Sequence, residues 1–255
     1  MKETVASSEI NMKEYLDSPE STEDSSPIDD LGQTSGSDRL VIVKSANVQD
    51  VLIDTIQMEI QLRPDSPRPI IPTNVSEITK QLILTSASSV NADTLATLGI
   101  SCVISCAPEL PDSPLTDQLI YHKVDVTDSG CSRILPHFDV AADLINNQVA
   151  AMGGRTLVFC VAGVSRSASI CIAYLMKHFK LSLLEAYNLV KSSRPRIRPN
   201  CGFFKQLIEY EKSLFGCNTV HMVFNDVVRM EIPDVYESDY KVVTYRRKRV
   251  VGNKG

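Results

Sequence analysis

The chain has 255 residues, 43% of them hydrophobic, 22% charged and 6% aromatic, with a formal net charge of −5. That length predicts one domain with tails or two small domains, and the acidic balance carries no footprint of nucleic-acid binding. No apolar run approaches the ~18 residues of a membrane span, and "MKETVASSEINMKEY" lacks the apolar core of a signal peptide, so a soluble intracellular protein is expected.

Residues 1–72 read as an acidic, Ser/Pro-rich segment. "LDSPESTEDSSPIDDLGQTSGSD" has almost nothing to bury and is expected to be disordered. Ser18-Pro19, Ser26-Pro27 and Ser66-Pro67 have the form of proline-directed phosphorylation sites, with solvated linker as the plainer reading. "RPDSPRPIIP" then punctuates the chain, and a folded domain is expected over 73–217. In it "SEITKQLILTS" predicts a turn and short strand. "NADTLATLGI" predicts a helix capped by Asn91 and stopped by Gly99. "SCVISCA" and "LIYHKVDV" predict two buried strands, the second running into the polar loop "TDSGCSR". "LPHFDVAADLINNQVAAM" has apolar residues at helical spacing and is closed by Gly153-Gly154. "RTLVFC" reads as a strand buried on both faces, and "SRSASICIAYLMKHF" as a helix. "SLLEAYNLVKSS" opens with a capping box, Ser182 to Glu185, and "CGFFKQLIEYEKSLF" is the last strong helix. Strands alternating with helices predict an α/β domain around a central sheet. Residues 218–243 are expected to pack on this domain, and 244–255 to form a basic tail.

Seven cysteines, at 102, 106, 131, 160, 171, 201 and 217, make an odd count that argues against a disulfide framework. Cys102 and Cys106 have no second pair at zinc-like spacing and the four histidines are scattered, so no metal site is expected.

The chemistry concentrates in "VFCVAGVSRSAS". A strand ends at Cys160, the turn Val161, Ala162, Gly163, Val164, Ser165 carries no bulky or charged side chain, and a helix begins beside Arg166. Gly163 permits a backbone that other residues resist, and such a turn can aim successive N–H groups inward as an anion nest. The helix start adds its N–H groups and positive dipole end, and Arg166 a planar fork that matches phosphate oxygens. The same field should favour the thiolate of Cys160, which would then be a nucleophile beneath a bound phosphate. No metal or nucleotide cofactor is needed, and a nucleotide P-loop is excluded because no Gly-Lys-Ser/Thr follows.

Cys160-x5-Arg166-Ser167 resembles the signature of the cysteine-dependent protein phosphatases, and "AGVSRSAS" that of their dual-specificity group. The similarity runs from about Thr73 to Tyr236 and is close to the small atypical dual-specificity phosphatases. It implies a central, mostly parallel sheet flanked by helices and hydrolysis through a phosphocysteine intermediate. It also implies an Asp general acid on a loop upstream of the cysteine. Asp128 fits that place; Asp125 is the rival but falls inside the strand pattern, and Asp112 in "LPDSP" reads as a turn residue. Ser167 resembles the hydroxyl that stabilises the departing thiolate. Asn200 resembles the asparagine after "RP" that supports the loop, and is otherwise an N-cap for the last helix. The turn lacks the lysines of phosphoinositide phosphatases and the Asn of the RNA-phosphatase branch. The expected substrates are therefore phosphoproteins, signalling kinases among them, bearing phosphotyrosine or phosphoserine/threonine. Phe159 stands where the family almost always has His. That keeps a second reading open: a phosphate-binding pseudophosphatase, its loop loosened by polar groups that the Phe leaves unpaired. "YRRKRVVGNKG" reads as a nuclear-import signal or as a solvated tail of a cytoplasmic protein.

Overall fold

The computed structural model describes residues 74–111 and 119–240. The acidic segment 1–72, Asp112 and the basic run near the C-terminus lie outside the described residues. The elements run β1 (Ser76–Glu77), β2 (Leu82–Ser86), α1 (Ala92–Leu98), β3 (Ile100–Ser105), β4 (Ile120–Lys123), α2 (Leu135–Met152), β5 (Arg155–Cys160), α3 (Arg166–Phe179), α4 (Leu183–Ser193), α5 (Cys201–Phe215), β6 (Met222–Asn225) and β7 (Met230–Pro233). The main sheet has the order β1-β2-β5-β3-β4. Only β1 is antiparallel to its neighbour; the other pairings are parallel. The mostly parallel α/β sheet is the fold expected from the sequence.

Strand alternation divides the core in two. Leu84, Ile104, Cys106, Val158 and Cys160 face the larger cluster, filled by α2, α3, α4 and α5. Ile83, Val103, Leu157 and Phe159 face a smaller one, closed by Leu95 and Leu98 of α1. Phe138, Phe203, Phe204 and Tyr236 are fully buried, each worth roughly 1.5–3 kcal/mol relative to exposure. The β6–β7 hairpin and the turn after it pack back on the domain. Tyr236 stacks edge-on against Phe204, and its hydroxyl donates to the Pro199 carbonyl at 2.9 Å, so the ring buries no orphan group.

Local signals set several boundaries. Asn91 accepts from the Thr94 N–H, and Gly99 ends α1 in the left-handed region at φ +62°. Ser182 and Glu185 form the reciprocal capping box of α4. The expected second buried strand is corrected. β4 stops at Lys123, and its residues are half-buried or exposed. It is an edge strand with β3 as its one partner, and β3 itself ends at Ser105, opposite Lys123. Val124 makes the last cross-strand bond, to the Ser105 carbonyl at 2.8 Å, and Asp125 therefore falls beyond the strand.

Candidate active site

The parallel strands β3, β4 and β5 end at one edge of the sheet, and the segments that follow them converge there, as in other open α/β sheets. They bring Glu109 (after β3), Asp128 (after β4) and the turn 161–165 (after β5) together. The turn is inverted by its carbonyls. Val161 O accepts from the Ala87 N–H, and Val164 O from the Arg198 N–H. Ala162 O accepts from Arg194 and Arg196, and Gly163 O from Arg194 Nε at 2.7 Å. With the carbonyls engaged outside, N–H groups turn inward onto the cysteine. Gly163 makes the geometry possible: its φ is +65°, and a Cβ there would overlap the Thr85 carbonyl oxygen and lie 2.6 Å from Arg194 Nη2.

Cys160 ends β5 with its sulfur almost fully buried. Its Sγ accepts from the Gly163 N–H at 3.2 Å and from the Ser167 hydroxyl at 3.1 Å. Burial pushes the thiol pKa up, but the Ser167 hydroxyl and the N–H groups of Ser167, Val164 and Gly163 outweigh it and hold the pKa below the ordinary thiol value. The donors that favour the thiolate are thus the N–H groups of the turn and of the start of α3, with the Ser167 hydroxyl.

Arg166 is 4% exposed and its guanidinium is shared. Its Nη1 and Nη2 donate to the two Glu109 carboxylate oxygens at 2.8 and 2.7 Å, and Nη1 also reaches Val126 O at 3.3 Å. Arg166 beside it holds the Glu109 carboxyl below its usual range. Nε is buried with no hydrogen-bond partner among the described residues. A guanidinium has five donors on two usable edges. Glu109 takes the terminal edge, and the edge made by Nε and Nη2 is left for two oxygens of a phosphoryl group. Glu109 is a site residue that the sequence reading missed; it lies 57 residues from Arg166 with no motif joining them.

Asp128 is held by two donors on one oxygen: Ser165 Oγ and Asn200 Nδ2, both 2.8 Å from Oδ1. Its other oxygen, Oδ2, lies 4.0 Å from Arg166 Nε. The Asn200 N–H donates to Ser165 Oγ at 3.1 Å, and Asn200 Oδ1 caps α5 by accepting from Phe203 N–H. Asn200 thus joins Ser165 and Asp128 by hydrogen bonds and is the N-cap of α5. Ser165, read as one more small turn residue, also donates to Asp128. Asp125 is exposed, and no contact with these groups is seen among the described residues.

Phe159 points away from all of this, into the smaller cluster with Ile83, Leu95, Leu98, Ile100, Val103 and Leu157. Among the described residues, the buried side-chain polar atoms without a hydrogen-bond partner are His122 Nε2, Thr156 Oγ1 and Arg166 Nε. The ring is packed by apolar neighbours, with Thr85 and Ser105 flanking it on the same sheet face.

The geometry of this edge can be set beside known proteins. Residues 82–213 match the family model described as the dual specificity phosphatase catalytic domain. Over 172 residues the chain is 45% identical to human dual specificity protein phosphatase 18, which covers 67% of this chain and 89% of that protein. It is 48% identical over 166 residues to mouse dual specificity protein phosphatase 14, covering 65% and 82%. Among solved structures, human DUSP28 aligns with a TM-score of 0.53 at 36% identity, covering 56% of this chain and 98% of that one.

Proposed function

This chain belongs to the dual-specificity phosphatase family and is a protein phosphatase, and from that premise we propose that it cleaves phosphotyrosine and phosphoserine/threonine esters through a phosphocysteine on Cys160. The Cys160 thiolate attacks phosphorus, forming the S–P bond as the P–O bond to the protein side chain breaks. Asp128 gives its proton to the departing oxygen. Water then attacks the phosphocysteine, Asp128 takes up its proton, and the sulfur leaves as a thiolate met by Ser167 and the turn N–H groups. The Nε–Nη2 edge of Arg166 and the N–H groups of 161–166 carry the phosphoryl charge throughout, the main requirement of phosphoryl transfer. Phosphorylated signalling kinases are proposed among the substrates on the family resemblance alone. Cytoplasm and nucleus are proposed as compartments on the strength of the acidic chain and its basic run near the C-terminus.

The observation that carries the reading is the donor set on Cys160 Sγ together with a buried arginine nitrogen, Arg166 Nε, that has no hydrogen-bond partner among the described residues. Phe159 favours a second reading, phosphate binding without turnover. Hydrolysis of a small aryl phosphate by wild type and Cys160→Ser, with inorganic phosphate affinity measured in parallel, separates them. We expect turnover by wild type, none by the mutant, and phosphate affinity retained by both. Turnover by Cys160→Ser overturns the phosphocysteine; phosphate binding without wild-type turnover selects the second reading.

A further inference from the structure

The loop carrying Asp128 is exposed from Thr127 through Cys131, yet proton transfer needs its carboxyl at one place. We propose that the first turns of α5 form the platform that fixes this loop, and that Gly202 is a positioning residue for Asp128. The proposal rests on the reading of Asp128 as general acid.

Glycine is among the poorest helix residues, and the φ of Gly202 is not in the left-handed region, so conformational freedom does not account for it. Space does. A Cβ at 202 would overlap the Gly130 carbonyl oxygen and lie 2.5 and 2.7 Å from Gly130 C and Cα, all backbone atoms. The contact is one-sided: a Cβ at Gly130 would meet only Gly202 N, at 4.0 Å. One turn further on, Gln206 Nε2 donates to Ser132 O at 2.8 Å and to Gly202 O at 3.2 Å. Its Oε1 accepts from the N–H groups of Ile134 and Leu135 at 2.8 and 3.0 Å, capping α2 where the loop ends. With Asn200 on Asp128, positions 200, 202 and 206 meet 128, 130 and 132–135 in order. A bulge at 202 pushes against Gly130, two residues from the acid; the three atoms it would meet all belong to Gly130 and none to the turn over Cys160.

The test compares two aryl phosphates, one with an acidic phenol as leaving group and phenyl phosphate, whose leaving group needs the proton. Gly202→Ala should lose about 10–10²-fold in kcat on phenyl phosphate, within the contribution of general acid catalysis. On the activated ester it should lose no more than about 3-fold, with inorganic phosphate affinity unchanged. Combined with Asp128→Asn, Gly202→Ala should add no further loss on phenyl phosphate, because both act on one proton; a merely structural role would add its loss. Gln206→Met removes the second anchor without a clash, should show the same split at smaller size, and decides the matter should Gly202→Ala fail to fold. An equal loss on both esters, or wild-type rates on phenyl phosphate, overturns the proposal. Asp128→Asn itself showing no split would instead remove the acid assignment, and the platform with it.

Discussion

Replacing Ser167 by alanine removes the hydroxyl that donates to Cys160 Sγ at 3.1 Å, and leaves the residue's N–H in the helix. Ser167 is fully buried, so water does not readily take the hydroxyl's place. A hydrogen bond to a charged group contributes about 1.5–3 kcal/mol. At 1.36 kcal/mol per tenfold, its loss lowers the thiolate population about 10–10²-fold at a pH below the thiol pKa. The sign follows from the balance at the sulfur. Burial raises the pKa and the donors reverse it, so taking one donor away moves the pKa up and the acid limb of kcat/KM to higher pH. The same hydroxyl serves the sulfur as it leaves phosphorus, so the second step should slow as well and phosphocysteine should accumulate. The assays are kcat/KM against pH on an aryl phosphate, alkylation of Cys160 against pH, and the burst amplitude. A Ser167→Ala enzyme whose acid limb and alkylation profile coincide with wild type would refute the role of this donor.

Arg166→Lys should lose at least ~10²-fold in kcat/KM despite keeping the charge, the scale for one preorganised transition-state donor. An ammonium cannot pair with both oxygens of Glu109 and still present a second edge to phosphate; near-normal kinetics would show that Arg166 does not hold the substrate. Phe159→His should raise a low wild-type turnover and leave phosphate affinity within a few-fold. Thr85 and Ser105 flank the ring, and the Thr85 carbonyl abuts Gly163, so a bond from imidazole to Thr85 would stiffen the turn; a folded mutant no faster than wild type contradicts this. Mild peroxide should modify Cys160 before the other buried cysteines, since oxidation follows thiolate character. Burial pushes the thiol of Cys102 up to about 11 and raises those of Cys106 and Cys171 as well. Peptide mapping that finds any of these three oxidised first would contradict the thiolate assignment.

Local chemistry was readable in the chain and long-range chemistry was not. Asn91, Gly99, Ser182 and Glu185 act on backbone within four residues, so their caps could be read directly. The turn from Cys160 to Arg166 is likewise a local strand-to-helix device, and Gly163 marks its one left-handed residue. The partners that tune it come from far along the chain: Glu109 is 57 residues from Arg166, Asp128 37 from Ser165, and Gln206 more than 70 from Ser132, Ile134 and Leu135. Nothing in a single sequence pairs such residues; only the topology does. β4 was overextended for a related reason. Its apolar pattern continues through Val126, but a strand needs a partner, and β3 had ended. Phe159 is the opposite case. Its identity is plain in the sequence, but the face it occupies depends on strand register, which puts it behind the sheet and among apolar side chains.

The central claim is that phosphate passes through Cys160. Rapid quench of wild-type enzyme turning over an activated aryl phosphate, followed by mass mapping under conditions that preserve thiophosphate, tests it directly. A phosphoryl group on Cys160, formed and consumed at rates compatible with kcat and absent from Cys160→Ser, is the predicted result. Turnover with no phosphoryl group on Cys160, or with one on another residue, would contradict it.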